Sequence, residues 1–257
     1  MNVIFLLTII LAILMITIGG RKGVRSFFSL LLNFIVILIT ILLMTDESAN
    51  PIILTLIASV AISTINLLFI NKVNSKTVIA FIATMITISL LVILIYFVTK
   101  KTMIQGFSEE NIDELSVYSL FIGVDFVKVA TSVIIMSTIG AITDMAISIT
   151  SPMQEIFQHN KNISRKELFT SGLTIGRDIL GSNANTLFFA FFGGYMALLL
   201  WFKDLAYSIG EIANSKVFGA EMLIISFAGI GIALIIPISS GIHAYYLINR
   251  RNKRKLD

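Results

Sequence analysis

Long apolar runs separated by short polar segments extend along the whole chain. Seven of these runs approach the length of about 20 residues that a helix needs to cross a bilayer. They lie at 2–18, 27–44, 52–70, 77–99, 120–147, 182–202 and 221–247. Apolar residues follow one another in these runs instead of alternating with polar ones, so strands of a membrane barrel are not expected. The pattern therefore predicts an all-α, polytopic membrane protein with about seven transmembrane helices.

Composition and charge agree with this class of protein and add an orientation. Of the 257 residues, 56% are hydrophobic and only 13% are charged, whereas about a quarter of the residues of a soluble domain are charged. With the N-terminus outside, most of the 19 Lys and Arg residues fall in inner segments, which predicts an N-out/C-in topology. The net charge of +4 is then explained by the basic residues that set the orientation of the chain in the membrane. We therefore expect membrane lipid as a partner and no nucleic acid.

The chain divides into two halves of different character. Residues 1–118 form a predicted four-helix N-terminal membrane half with little distinctive chemistry, and a short amphipathic stretch at 106–118 is expected to lie at the interface. Residues 119–257 form a second membrane half that holds the motifs. Near the start of this half, Asp125 and Lys128 lie three residues apart, which predicts an ion pair on one helix face.

Candidate chemistry begins with Asp144. Gly140 and Ser148 lie four residues to either side and share its helix face. A charge at the edge of a membrane segment is costly, and it is retained mainly where it pairs with an opposite charge, contacts water or has a function. One interpretation is a carboxylate that faces water at the inner interface. The other is a proton carrier in a partly wet pocket, where burial and a nearby charge oppose each other in setting its pKa.

A polar cluster opens the sixth apolar run and provides candidate partners for Asp144. Its members are Arg177, Asp178, Asn183, Asn185 and Thr186. Helix capping explains part of this cluster. In the other interpretation, Arg177 is the charge partner of Asp144, Asp178 belongs to the same coupling group, and the remaining residues line an inner vestibule with Ser148. Ser164 and Glu167 predict a capping box at the start of the inner amphipathic connector before this cluster.

The glycines, one proline and the two histidines give further predictions. Gly140, Gly193, Gly194 and Gly229 are expected to permit close helix packing, and Pro237 predicts a kink in the last run. His159 and His243 share no motif, so solvated roles and no metal site are expected. The chain has no cysteine and no GxSxG, HExxH or phosphate-loop motif, so we expect neither an enzyme nor a cofactor.

The motifs of the second half resemble the YibE/F-like family of bacterial multipass membrane proteins. The stretches that carry the resemblance are GAITDMAISI (140–149), LFTSG (168–172), IGRDILG (175–181), NANTL (183–187) and GIGIALIIP (229–237). The chain is similar to the shorter type of member. This resemblance implies a location in the bacterial cytoplasmic membrane and a longer paralogue, or a second copy, as the partner.

The segment 137–186 is also similar in layout to the proton-driven SecD/SecF permease class. An Ile-Gly pair and then Asp144 lead into an inner connector, and Thr186 opens the next helix. That similarity implies proton movement that involves Asp144 and Arg177. The leading hypothesis is one half of a proton- or ion-coupled membrane transporter or motor. The alternative is a non-transporting accessory subunit that stabilises or regulates a partner.

Overall fold

The computed structural model of the protein describes residues 3–46, 48–104, 125–160 and 162–253. Its helices are α1 (Val3–Met44), α2 (Pro51–Ser63), α3 (Ser75–Thr102), α4 (Phe126–His159), α5 (Arg165–Gly194), α6 (Met196–Asp204), α7 (Ile209–Asn214) and α8 (Lys216–Lys253). A π-helix, Thr64–Phe69, continues α2. No strand occurs in these ranges, which confirms the all-α class. The amphipathic stretch predicted at 106–118 lies outside the described residues.

Among the described residues, five helices are long and apolar enough to cross a membrane. They are α1, α2 with its π-helical continuation, α3, α4 and α8. Helices α5 and α6 meet the same condition only as a pair that is bent by 51°, so the count is five, or six with the bent pair. The chain is thus a multipass membrane protein. The count of seven and the N-out/C-in orientation stay predictions.

Helix α1 is broken near its middle. Gly20 has φ 53° and ψ −135°, a conformation that is open essentially to glycine alone. Beyond the break, Gly23 lies against the backbone carbonyl of Met15, whereas a straight helix would separate residues eight apart by about 12 Å. The chain therefore folds back on itself here, and the runs predicted at 2–18 and 27–44 lie on either side of the turn.

Helix α4 extends well beyond the apolar run that predicted it. The run ends at residue 147, but the helix continues through Pro152 to His159. The reason is an apolar face on the extension, where Ile149 and Met153 are fully buried and Ile156 and Phe157 pack against the core. Burial of this face stabilises the helix although Pro152 has no N–H to donate to the carbonyl of Ser148.

The extension of α4 moves Asp144 away from the helix end where the sequence placed it. A Cβ built on Gly231 of α8 would lie 2.7 Å from Ile142 and 3.1 Å from Leu91. These residues are therefore at one level of the bundle, and Leu91 is near the middle of α3. Asp144 follows Ile142 by two residues, so it lies level with the middle of α3. Asp144 therefore lies fifteen residues before the end of α4, and its depth in the membrane stays a prediction.

Helix α5 begins where the sequence predicted. Ser164 accepts a hydrogen bond from the backbone N–H of Glu167 (3.2 Å), and the Glu167 carboxylate accepts one from the backbone N–H of Ser164 (2.8 Å). The capping box is confirmed. The connector and the start of the sixth apolar run then form one continuous helix, since no residue breaks it before Gly193 and Gly194.

The bend between α5 and α6 follows these two glycines. Each glycine in a helix interior costs about 1 kcal/mol relative to alanine, so two in succession weaken the helix at this point. Tyr195 occupies the bend, and its hydroxyl donates a hydrogen bond of 2.5 Å to the carboxylate of Glu221 on α8. The bend is therefore tied to the neighbouring helix.

Helix α4 lies at the centre of the bundle and packs against α2, α3, α5 and α8. One hydrophobic core holds Ile62 and Leu91 from the first proposed half together with Ile142, Leu168 and Ile235 from the second. Contacts thus cross the boundary that the sequence suggested at 118/119, and the division into two halves stays a prediction about sequence organisation.

Candidate functional site

One narrow face of α4 is left exposed by the other described residues. Residues on the other sides of this helix, including Ile142, Met145 and Ile149, are fully buried. The exposed residues on this face are Val133, Ser137, Gly140, Asp144 and Ser148, and we call the last four the exposed stripe. A carboxylate on the outside of a membrane helix costs at least about 2.5–3.5 kcal/mol near the helix centre if it faces lipid. We therefore expect water or another protein to cover this stripe.

The stripe on α4 lies between α1 and α5. At its Ser137 end, a cleft of about 150 Å³ is lined by Ile37, Thr40 and Ile41 of α1 together with Ser132 and Ser137 of α4. On the other flank, the Asn183 amide of α5 donates a hydrogen bond of 3.4 Å to the sulfur of Met145, the residue next to Asp144. We use the term groove for the stripe together with this cleft and Asn183.

Arg177 does not meet Asp144. Neither side chain forms an ion pair or a hydrogen bond within the described ranges. Asn183 marks the side of α5 that faces α4, and Arg177 lies six residues earlier, which is about 120° around the helix axis. The predicted pairing is therefore not found within one chain, because the packing of α5 turns the guanidinium away from the stripe.

The other polar residues of α5 separate into two groups. Thr186 lies three residues after Asn183, about 60° around the axis, and it is exposed, with its hydroxyl donating to the carbonyl of Ser182 (2.9 Å). Asp178 and Asn185 are exposed on the outward side of α5. The structure thus brings Asn183 next to the stripe that holds Asp144 and Ser148, and it places Arg177, Asp178 and Asn185 on a second polar face.

Different glycines from the predicted ones make the close helix contacts. A Cβ on Gly172 would lie 2.5 Å from the Ser240 hydroxyl and 2.6 Å from the Met153 sulfur, and one on Gly176 would clash with Ile236. These contacts fix the rotation of α5 against α4 and α8. By contrast, a Cβ on any of four others would meet nothing within 4 Å among the described atoms; they are Gly140, Gly193, Gly194 and Gly229. Their packing role stays a prediction about another molecule.

Two further predictions concern α4 and α8. The ion pair is confirmed, with 3.3 Å between Lys128 Nζ and Asp125 Oδ2. Burial raises the pKa of Asp125, but hydrogen bonds and the charge of Lys128 outweigh it, and the pKa is lowered overall. Both side chains are substantially exposed, so the pair contributes little stability. Pro237 lies inside α8, and the helix continues on both sides of it. The kink stays a prediction.

The histidines differ from each other. His159 is exposed, with Nδ1 2.9 Å from the carbonyl oxygen of Glu155. His243 is fully buried, and neither ring nitrogen has a hydrogen-bond partner among the described residues. A solvated role is therefore wrong for His243. Ser239 and Ser240, which precede it at helical spacing, are also fully buried, so this face of α8 points inward.

We predict that His243→Leu leaves the protein at least as stable as the wild type. A buried polar group without a partner costs about 1–3 kcal/mol, and leucine fills a similar volume without that penalty. The measurement is the thermal unfolding midpoint of the purified protein in detergent. His159→Leu, at an exposed site, is the matched control. A clear fall in the midpoint for His243→Leu alone would mean that the imidazole has a stabilising partner.

Among the described residues, no three His, Asp or Glu side chains come together as a metal site would require. A sequence model of the family described as YibE/F-like protein matches residues 7–249. The match extends far beyond 140–237, where the motifs lie. No curated protein and no solved structure matches the chain.

Proposed function

The chain belongs to the YibE/F-like family, and on that premise we propose that it forms one half of a proton- or ion-coupled membrane transporter or motor. The observation that carries the proposal is the position of Asp144 on the exposed stripe of the central helix. We place the protein in the bacterial cytoplasmic membrane, where a membrane potential acts on such a group.

The chemistry of the groove suits a proton or a small cation. A carboxylate can bind either one, and its charge is then neutralised while it crosses an apolar region. Ser148 and Asn183 supply a hydroxyl and an amide group near Asp144 that can hydrogen-bond water or replace it around a cation, and we expect Thr186 to contribute a second hydroxyl. The driving force is the membrane potential, worth about 2.3 kcal/mol per charge per 100 mV.

The groove is open on one side among the described residues, which supports a half-site. The Asp144 carboxylate faces away from the core of its own chain, and the cation that the sequence assigned to it lies on another face. We propose that a second copy, or the longer paralogue that the family resemblance implies, covers the stripe. In that arrangement the Arg177 face of one chain is a complementary partner for the Asp144 stripe of another.

The test is proton movement in vesicles that contain the purified chain. A potassium gradient with valinomycin sets the potential, and a trapped dye reports internal pH. We expect potential-dependent acidification above that of protein-free vesicles, with sodium exchanged for choline to detect a cation other than the proton. Absence of flux for the chain alone and for the chain copurified with its partner would reject the proposal.

The accessory role is a second candidate because a Cβ on Gly140, Gly193, Gly194 or Gly229 would meet nothing within 4 Å in the described chain. Such positions admit a partner helix at close range. Gly140→Leu would then abolish copurification with the partner, whereas Thr17→Leu, at an exposed site on the first segment of α1, would not. Copurification that depends on Gly140 without any flux in the wild type favours this role over transport.

A further inference from the structure

A basic cleft of about 420 Å³ lies between the break in α1 and the loop that precedes α3. Five cationic side chains line it: Arg21, Lys22, Arg25, Lys72 and Lys76. No carboxylate is among its lining residues. The basic cleft is distinct from the groove along α4.

Two backbone features bring these cations together from segments about fifty residues apart. The break at Gly20 turns the chain at the end of the first segment of α1. Arg21, Lys22 and Arg25 come directly after this turn. Lys72 has φ 61°, and its carbonyl accepts hydrogen bonds from the Thr77 hydroxyl (2.9 Å) and the Asn74 amide (3.3 Å). These bonds hold the loop in a conformation that non-glycine residues rarely adopt.

The charges in the basic cleft are not neutralised within the described chain. None of the five side chains takes part in an ion pair or a hydrogen bond there. Arg25 and Lys76 are half-buried, which weakens the screening of their repulsion by water. The N-terminus of α3, which begins at Ser75, adds a positive partial charge at the same place. An anion is the ligand that this arrangement stabilises.

We propose that the basic cleft binds the phosphate of an anionic lipid headgroup. Its cations come directly after or before apolar segments, at 2–18, 27–44, 52–70 and 77–99, so the cleft lies at headgroup level. Guanidinium and ammonium groups are the usual phosphate ligands. The orientation rule explains basic residues on one side of a membrane, but it does not require five of them to converge on one cleft.

The experiment compares lipid retention by the full chain in nanodiscs of phosphatidylcholine with and without phosphatidylglycerol, measured by native mass spectrometry. We expect saturable retention of phosphatidylglycerol. The variant Arg21→Gln/Arg25→Gln/Lys72→Gln should bind it about a hundredfold more weakly, since each basic residue near a membrane surface is worth about fivefold in affinity. A charge-matched control, Lys100→Gln/Lys101→Gln/Lys203→Gln, removes three exposed cations outside the cleft and should retain the lipid.

A charge-conserving variant and a titration with free phosphate complete the experiment. The variant Arg21→Lys/Arg25→Lys keeps the charge and should retain most of the binding, which separates loss of charge from loss of fold. Titration with inorganic phosphate in phosphatidylcholine nanodiscs tests the other source of the same anion. If the triple variant of the cleft and the triple control variant lose phosphatidylglycerol equally, the proposed site is wrong. Binding of free phosphate without retention of phosphatidylglycerol overturns the assignment to lipid.

Discussion

Asp144→Asn is expected to reduce potential-driven flux to the level of protein-free vesicles while the protein still assembles normally. Asparagine has nearly the same shape as aspartate, but it neither binds a proton nor carries the charge on which a membrane potential acts. Asp144 makes no hydrogen bond or ion pair among the described residues, and it is exposed. The fold therefore does not depend on this carboxylate, and a loss of flux reports on function.

The matched control is Asp204→Asn, which removes an exposed carboxylate at the end of α6, away from the groove. It should leave flux unchanged. Arg177→Gln distinguishes the possible arrangements of the charge partner. A loss of flux that is restored by mixing Arg177→Gln with Asp144→Asn chains would support pairing between chains. Wild-type flux in a correctly assembled Asp144→Asn protein would remove Asp144 from the mechanism.

Gly23→Ala is expected to open the turn between the two segments of α1. A Cβ at this position would collide with the backbone carbonyl oxygen of Met15, and a backbone cannot give way as a flexible side chain does. Overpacking of this kind costs about 1–3 kcal/mol or more, against which the better helix propensity of alanine offsets about 1 kcal/mol. Cleavage by trypsin at Arg21, Lys22 and Arg25 should therefore become roughly tenfold faster.

Gly140→Ala provides the control for this variant. A Cβ there meets nothing within 4 Å in the described chain, so only the gain in helix propensity applies and trypsin sensitivity should not change. Gly23→Ala should also weaken anion binding in the basic cleft, because Arg21 and Arg25 lie close to the turn at Gly20. Equal cleavage rates for Gly23→Ala and the wild type would show that α1 does not fold back in solution.

Much of the helical framework was predictable because its causes are local. Long apolar runs require helices in a bilayer, where backbone groups cannot bond to water, and the Ser164–Glu167 capping box and the Asp125–Lys128 pair depend only on residues three apart. Family membership could also be inferred from short motifs. The extension of α4 to His159 was missed, although Ile149, Met153 and Ile156 carried the helical spacing that reveals it.

The sequence by itself determined the membrane class, the all-α fold and the family. Only the tertiary structure decided which of the candidate residues meet. The apolar runs are hydrophobic on nearly every side, so their periodicity does not fix how each helix is rotated. Contacts at Gly172, Gly176 and Gly231 fix that rotation, and with it they turn His243 inward, leave Asp144 outward and carry Arg177 to another face. Packing between helices, which no local pattern encodes, is the physical reason.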